Sequence, residues 1–141
     1  GSRFLDLLQW TGTKDPAAAL TVPAAIGFMN DHHWEEVRGQ CHNLLRGAME
    51  RICALTDMPP CYPLDSDFYS QMGIAPLPRS DLVALKTRLY DEYKIEVPLI
   101  EWQTRQFIRV SVQGYNTQDD IEALVSALKV LLPQVGVDGT R

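Results

Sequence analysis

The chain reads as an α+β domain, a small antiparallel sheet packed by helices in the order α-α-β-α-β-β-α. Three observations predict it. Apolar residues recur at helical spacing over residues 34–55, the mark of an amphipathic helix. Two runs of strand-like residues, 97–102 and 106–113, are separated by a hairpin-sized gap at Gln103-Thr104-Arg105. Finally, Thr117-Gln118-Asp119-Asp120 opens a last apolar-periodic run with a capping-box pattern that uses aspartate for the usual glutamate.

The elements follow in order. Gly1-Ser2 has the look of a cloning scar, and residues 3–15 read as a linking segment. The mixed stretch 4–14, with Trp10-Thr11-Gly12-Thr13 inside it, fits a loop or strand end rather than a helix. Asp15-Pro16 resembles an N-cap with proline at the first helical position, and Thr21 could cap a fresh helix through Asn30 with Pro23 in its first turn. Asn30 or Asp31 then starts the clearest helix, whose stripe is Trp34, Val37, Cys41, Leu44, Leu45, Ala48, Ile52 and Leu55. Asp57 with Pro59-Pro60 stops it. The proline-bearing residues 58–70 read as an irregular connection or short strand, and Met72 to Leu77 as a short strand.

Ser80 is read as the cap of a helix that aligns Leu82, Leu85, Leu89 and Tyr93 on one face. After the two strands, the last helix aligns Ile121, Leu124, Val125, Leu128, Leu131 and Leu132, and Pro133 ends it. Residues 16–133 form the expected domain, and 134–141 read as a flexible tail.

A length of 141 residues suits one ordinary domain, long enough to fold without a disulfide or metal. The net charge of -5, with signs scattered, offers no basic block to neutralise phosphates, so no nucleic-acid partner is expected. No apolar run reaches membrane-spanning length, so no membrane partner is expected either. Three cysteines without CxxC spacing read as reduced thiols of a cytoplasmic protein. His32, His33 and Cys41 lack a fourth ligand at a recognisable spacing, so no metal site is expected.

Chemistry concentrates at Ile108-Arg109-Val110-Ser111-Val112. On an extended backbone the three aliphatic residues point one way, while Arg109 and Ser111 point the other. A guanidinium held on a strand suits bidentate capture of a carboxylate, which makes an amino acid the candidate ligand. The competing reading is a surface arginine on an exposed sheet face. Elsewhere no catalytic residue can be assembled: GxSxG, a glycine-rich phosphate loop and HExxH are all absent.

Trp10-Thr11-Gly12-Thr13-Lys14-Asp15-Pro16, then Val22-Pro23-Ala24-Ala25-Ile26, then Arg109-Val110-Ser111 with Tyr115-Asn116-Thr117, together resemble the C-terminal part of class V aminotransferases. Within that superfamily the chain is most similar to the isopenicillin N epimerase-like proteins, while cysteine desulfurases share the RxSxxxYN pattern. The resemblance runs from Phe4 to Pro133. It implies the C-terminal small domain of a fold-type-I enzyme dependent on pyridoxal 5′-phosphate, with an amino acid as substrate. The cofactor and the lysine that anchors it would belong to a larger N-terminal domain outside this chain.

By the same resemblance, Arg109 would bind the substrate α-carboxylate. Gly12 and Thr13 would reach the partner's cofactor phosphate across a homodimer interface. Lys14, Lys86, Lys94 and Lys129 are the only lysines, and none stands in the family's cofactor-binding context. The isolated chain is therefore expected to be inactive, with no cofactor bound, whether its parent carries out epimerisation, transamination or elimination.

Several residues carry two readings. Tyr115 and Asn116 either touch substrate or make a strand-to-helix corner. Trp10 either lines a cofactor pocket or sits at an interface. His32 and His33 read as first-turn helix residues, and Trp102 and Tyr90 as packing residues. A second function class is a free-standing α+β module that binds an amino acid for regulation, or one that docks a partner on its sheet face. Such modules run βαββαβ, which the two leading helices fit poorly.

Overall fold

The computed structural model describes residues 1–9 and 12–137. The chain divides into two compact units, residues 1–35 and 36–141.

The first unit holds α1 (Arg3–Gln9), α2 (Ala17–Leu20) and α3 (Val22–Asp31). The helix at α1 corrects the expected loop. Leucine, arginine and glutamine favour helix intrinsically, and Asp6 in the first turn complements the helix dipole. Asp15 receives the Ala17 N–H at 2.9 Å, as a cap should. Thr21 does not cap α3; it stays helical, and its hydroxyl donates to the Ala18 carbonyl at 2.8 Å. His32 and His33 do not start a helix either. His32 ends α3 stacked on Phe28 at 4.0 Å, and His33 takes the left-handed conformation at φ 48°. No residue of these three helices is buried.

From α3 onward the order is the expected α-α-β-α-β-β-α: α4 (Trp34–Thr56), β1 (Met72–Leu77), α5 (Leu82–Tyr93), β2 (Leu99–Trp102), β3 (Arg105–Ser111) and α6 (Gln118–Val135). The α4 stripe buries Cys41, Leu45, Ala48 and Ile52, and adds Met49. Asp57 at φ 54° and a Met58 N–H to Cys53 carbonyl bond of 3.2 Å end the helix. The irregular connection is pinned by aromatic residues. His42 stacks on Tyr69 at 4.7 Å, and the Tyr62 hydroxyl accepts the Ile74 N–H at 3.0 Å.

The three strands lie antiparallel in the order β1-β3-β2. Ala75 pairs with Ile108 and Gly73 with Val110, and these residues face the helices. A side chain at Gly73 would meet the Met49 sulfur at 2.5 Å and the Tyr62 hydroxyl at 2.9 Å. Any larger residue there would force the end of Met49 and the Tyr62 hydroxyl to shift. The core closes with Leu85 and Leu89 of α5 and Leu128 and Leu131 of α6.

The hairpin is tighter than expected. Arg105 pairs with Trp102, leaving Gln103 and Thr104 as a two-residue turn at φ 48° and 65°. Positive φ at both central positions gives the strand-matching I′ geometry. β2 is shorter than 97–102, because Pro98 has no N–H to give the ladder.

Two helix ends differ from expectation. Asp81, not Ser80, caps α5, accepting the N–H groups of Val83 and Ala84 at 3.0 Å each. The α6 helix passes through Pro133, losing one backbone bond, and carries Leu132 and Val135 into the core. Its end is tied down by Asp81 N–H to the Val135 carbonyl at 2.8 Å and by pairing of Gly136 with Ser80. Residues 134–137 are thus no flexible tail. Residues 138–141 lie outside the described residues. No described helix is long and apolar enough to cross a membrane.

Candidate functional site

Arg109 sits in the middle of β3, opposite Ile74 of β1, with its own N–H bonded to the Pro98 carbonyl at 2.9 Å. Its neighbours Ile108, Val110 and Val112 are almost fully buried, so the strand cannot slip without exposing them. Alternation then sends the arginine to the other face, as expected. That face is not polar, however. Phe107 is buried on it beneath the Arg105 guanidinium, 5.1 Å from the ring centroid.

Arg109 lines a concavity of about 560 Å³, between residues 93–98, the end of β3 and the start of α6. This is the size of a small-molecule site. The Arg109 Nε is buried and has no hydrogen-bond partner among the described residues. A buried, unpartnered N–H is costly, and an acceptor entering the concavity would relieve it. The walls mix Val97, Ile121 and Leu124 with Glu96 and Asp120.

Tyr115 and Asn116 serve the corner. Tyr115 is exposed, and Asn116 accepts the Gln113 N–H at 2.9 Å while returning its own N–H to the Gln113 carbonyl at 2.8 Å. The Asn116 amide also reaches Asp120 at 3.4 Å. Asp120 accepts the Thr117 N–H at 2.9 Å, completing the expected capping box. The Thr117 N–H foremost, then Asn116, hold the Asp120 carboxyl below the usual carboxylate range.

A depressed folded value makes this cap stabilising above the unfolded value, with that contribution lost as pH falls through the folded one. Asp120→Asn should therefore flatten the acid limb of the stability curve below about pH 4 and leave the slope at neutral pH unchanged. An identical acid limb, measured by urea unfolding at a series of pH values, would remove Asp120 from the cap.

Gly12 and Thr13 belong to the first unit. Gly12 adopts φ 82°, which disfavours any side chain there, and Thr13 is exposed. Trp10 and Thr11 lie outside the described residues. Trp102 and Tyr90, expected to pack, are 60% and 57% exposed. Lys94 lines the concavity, but its Nζ donates to the Asp91 carbonyl at 2.8 Å. Burial pushes the thiols of Cys53 and Cys61 upward, which keeps both protonated and poor as nucleophiles. Among the described residues no group of three or more metal-ligating side chains converges. The walls from Glu96, Val97 and Ile121 escaped the sequence reading, because three segments distant in the chain build them.

No protein-family model matches the chain. Isopenicillin N epimerase of Amycolatopsis lactamdurans is 31% identical over 125 residues, which is 88% of this chain and 31% of that protein. This chain is related to the class V aminotransferase group that its motifs resemble. Two proteins named as L-cysteine desulfhydrases agree, one of Oryza sativa subsp. japonica at 24% identity and one of Arabidopsis thaliana at 25%. The chain spans 29–31% of the length of these curated relatives. Among solved structures, 8-amino-7-oxononanoate synthase of Francisella tularensis matches 79% of this chain and 32% of its own, with a TM-score of 0.53 at 24% identity. That likeness bears on the fold, a small α+β domain, and on nothing finer.

Proposed function

We propose that this chain is the C-terminal small domain of a pyridoxal-phosphate-dependent class V enzyme, and that Arg109 binds the α-carboxylate of its amino-acid substrate. The observation that carries the reading is the buried Arg109 Nε without a partner, in a concavity of ligand size. With its Nε already out of water and without a partner, the guanidinium gains from a carboxylate that supplies the missing acceptor.

The residues present fit the cofactor as lenders of donors rather than as its seat. Gly12 at positive φ and the exposed Thr13 can offer a backbone N–H and a hydroxyl to a phosphate. The concavity's lysine is engaged with its own helix end. In this reading the cofactor and its lysine belong to the large domain, and Gly12 and Thr13 act across a homodimer.

Bound pyridoxal phosphate supplies the electron sink that lets a Cα bond of the substrate break. The task of Arg109 is orientation: a carboxylate held at two points fixes the Cα atom to which it is attached. The apolar wall of Val97, Ile121 and Leu124 offers the non-polar part of a substrate a surface to rest against.

The test is the visible spectrum of the full-length parent, before and after borohydride reduction. A band that bleaches on reduction is the expected result, with Thr13→Ala releasing the cofactor more readily than wild type. A parent that stays colourless with added cofactor would sink the enzyme reading. Wild-type retention by Thr13→Ala would leave Thr13 a plain turn residue.

A further inference from the structure

We infer that the carboxylate site has a second donor, the backbone N–H of Ser111, and that its ligand carries one negative group only. This rests on the proposed role of Arg109. The Val112 N–H bonds to the Gln71 carbonyl at 2.8 Å, on the β1 side of the strand. The Arg109 N–H bonds to the Pro98 carbonyl, on the opposite side. Backbone groups alternate along an antiparallel strand, so the Ser111 N–H and carbonyl point to the Arg109 side.

Extending the register of Leu99 with Ile108 would set Glu96 opposite Ser111. The strand does not extend that far. β2 begins at Leu99, and Glu96 and Val97 form the facing wall of the concavity instead. The edge of β3 at Ser111 therefore opens onto the space that Arg109 lines, without a strand partner.

Two residues along the same edge are roughly 7 Å apart, a span that a long arginine side chain covers by folding back along its own strand. A carboxylate has two oxygens with two lone pairs each, so the arginine fork can bond to both while the amide takes a remaining lone pair. The sign of the other wall limits the ligand. Glu96 and Asp120 both line the concavity, the Asp120 carboxyl is held ionised by its cap, and Lys94, the other cation of the lining, turns its Nζ to the Asp91 carbonyl. A second carboxylate on the ligand meets like charge there, whereas an apolar or α-amino substituent does not. The class is a monocarboxylate with a small apolar body, resting against Val97, Ile121 and Leu124.

The experiment is a ¹⁵N NMR titration of this 141-residue chain with propionate, using sodium chloride as the ionic control and succinate as the dicarboxylate. The Ser111 amide and the Arg109 Nε–H should shift together on one saturating curve, and succinate should bind about tenfold more weakly. Arg109→Gln should abolish the Ser111 shift. A shift at Arg109 with none at Ser111 overturns the second donor and leaves the arginine reading standing. Succinate binding as well as propionate overturns the single-charge claim. No shift at either group overturns this inference and the arginine reading together.

Discussion

Arg109→Ala in the full-length enzyme should lower kcat/KM for the amino-acid substrate by about 10²–10³-fold, the effect of truncating one partner of a buried charge pair. Two properties of the site set that size. The Nε has no hydrogen bond to lose when the ligand binds, so its whole interaction is with the ligand. The strand that carries it is locked between buried Ile108 and Val110, so the backbone at Arg109 is placed before binding. Arg109→Lys should recover only part of the loss, because a point charge on a flexible stem cannot reproduce two parallel bonds. Cofactor absorbance should survive both substitutions, since Arg109 is assigned to the substrate alone. Unchanged kinetics would take Arg109 out of the site, and lost absorbance with lost activity would point to a folding defect instead.

Gln106→Leu should destabilise the domain by roughly 2–5 kcal/mol, with the urea midpoint falling and the slope unchanged. Gln106 is a buried polar residue on the helix-facing side of β3. Its Oε1 accepts the Ser80 N–H at 2.8 Å, and its Nε2 donates to the Ser80 carbonyl at 3.0 Å and to Glu101 at 3.2 Å. Leucine fills a similar volume and makes none of these bonds. Two backbone groups of Ser80, itself 3% exposed, would be left without partners next to the N-terminus of α5. That loss is a large part of the stability of an ordinary domain. A change below about 0.5 kcal/mol, the size of an ordinary surface substitution, would mean that Ser80 finds other partners at once.

How far the sequence reached is clearest at particular elements. The 34–56 helix, the strand at 72–77 and the capping box at Thr117 were legible because each is written in local periodicity or cap chemistry. The orientation of Arg109 was legible for the same reason, since a period of two sends it away from its aliphatic neighbours. Local rules failed where distant residues decide. Pro133 reads as a stop, but the buried Leu132 and Val135 draw the helix through it. Ser80 reads as a cap, but Gln106 from the sheet takes its backbone, and Asp81 caps in its place. Gly12 and Thr13 were singled out by resemblance alone, and the described residues of their unit include no buried one against which to check them.

By itself, the sequence determined the α+β class, the order of elements from α3 onward, and the arginine on the outer face of a strand. Periodicity and capping are properties of neighbours a few residues apart, so they survive in a linear text. The tertiary structure decided that the Arg109 Nε is buried without a partner and that a concavity lies beside it. It also decided that β2 stops short and leaves the edge at Ser111 open. Each of these depends on desolvation and register between segments brought together only by folding.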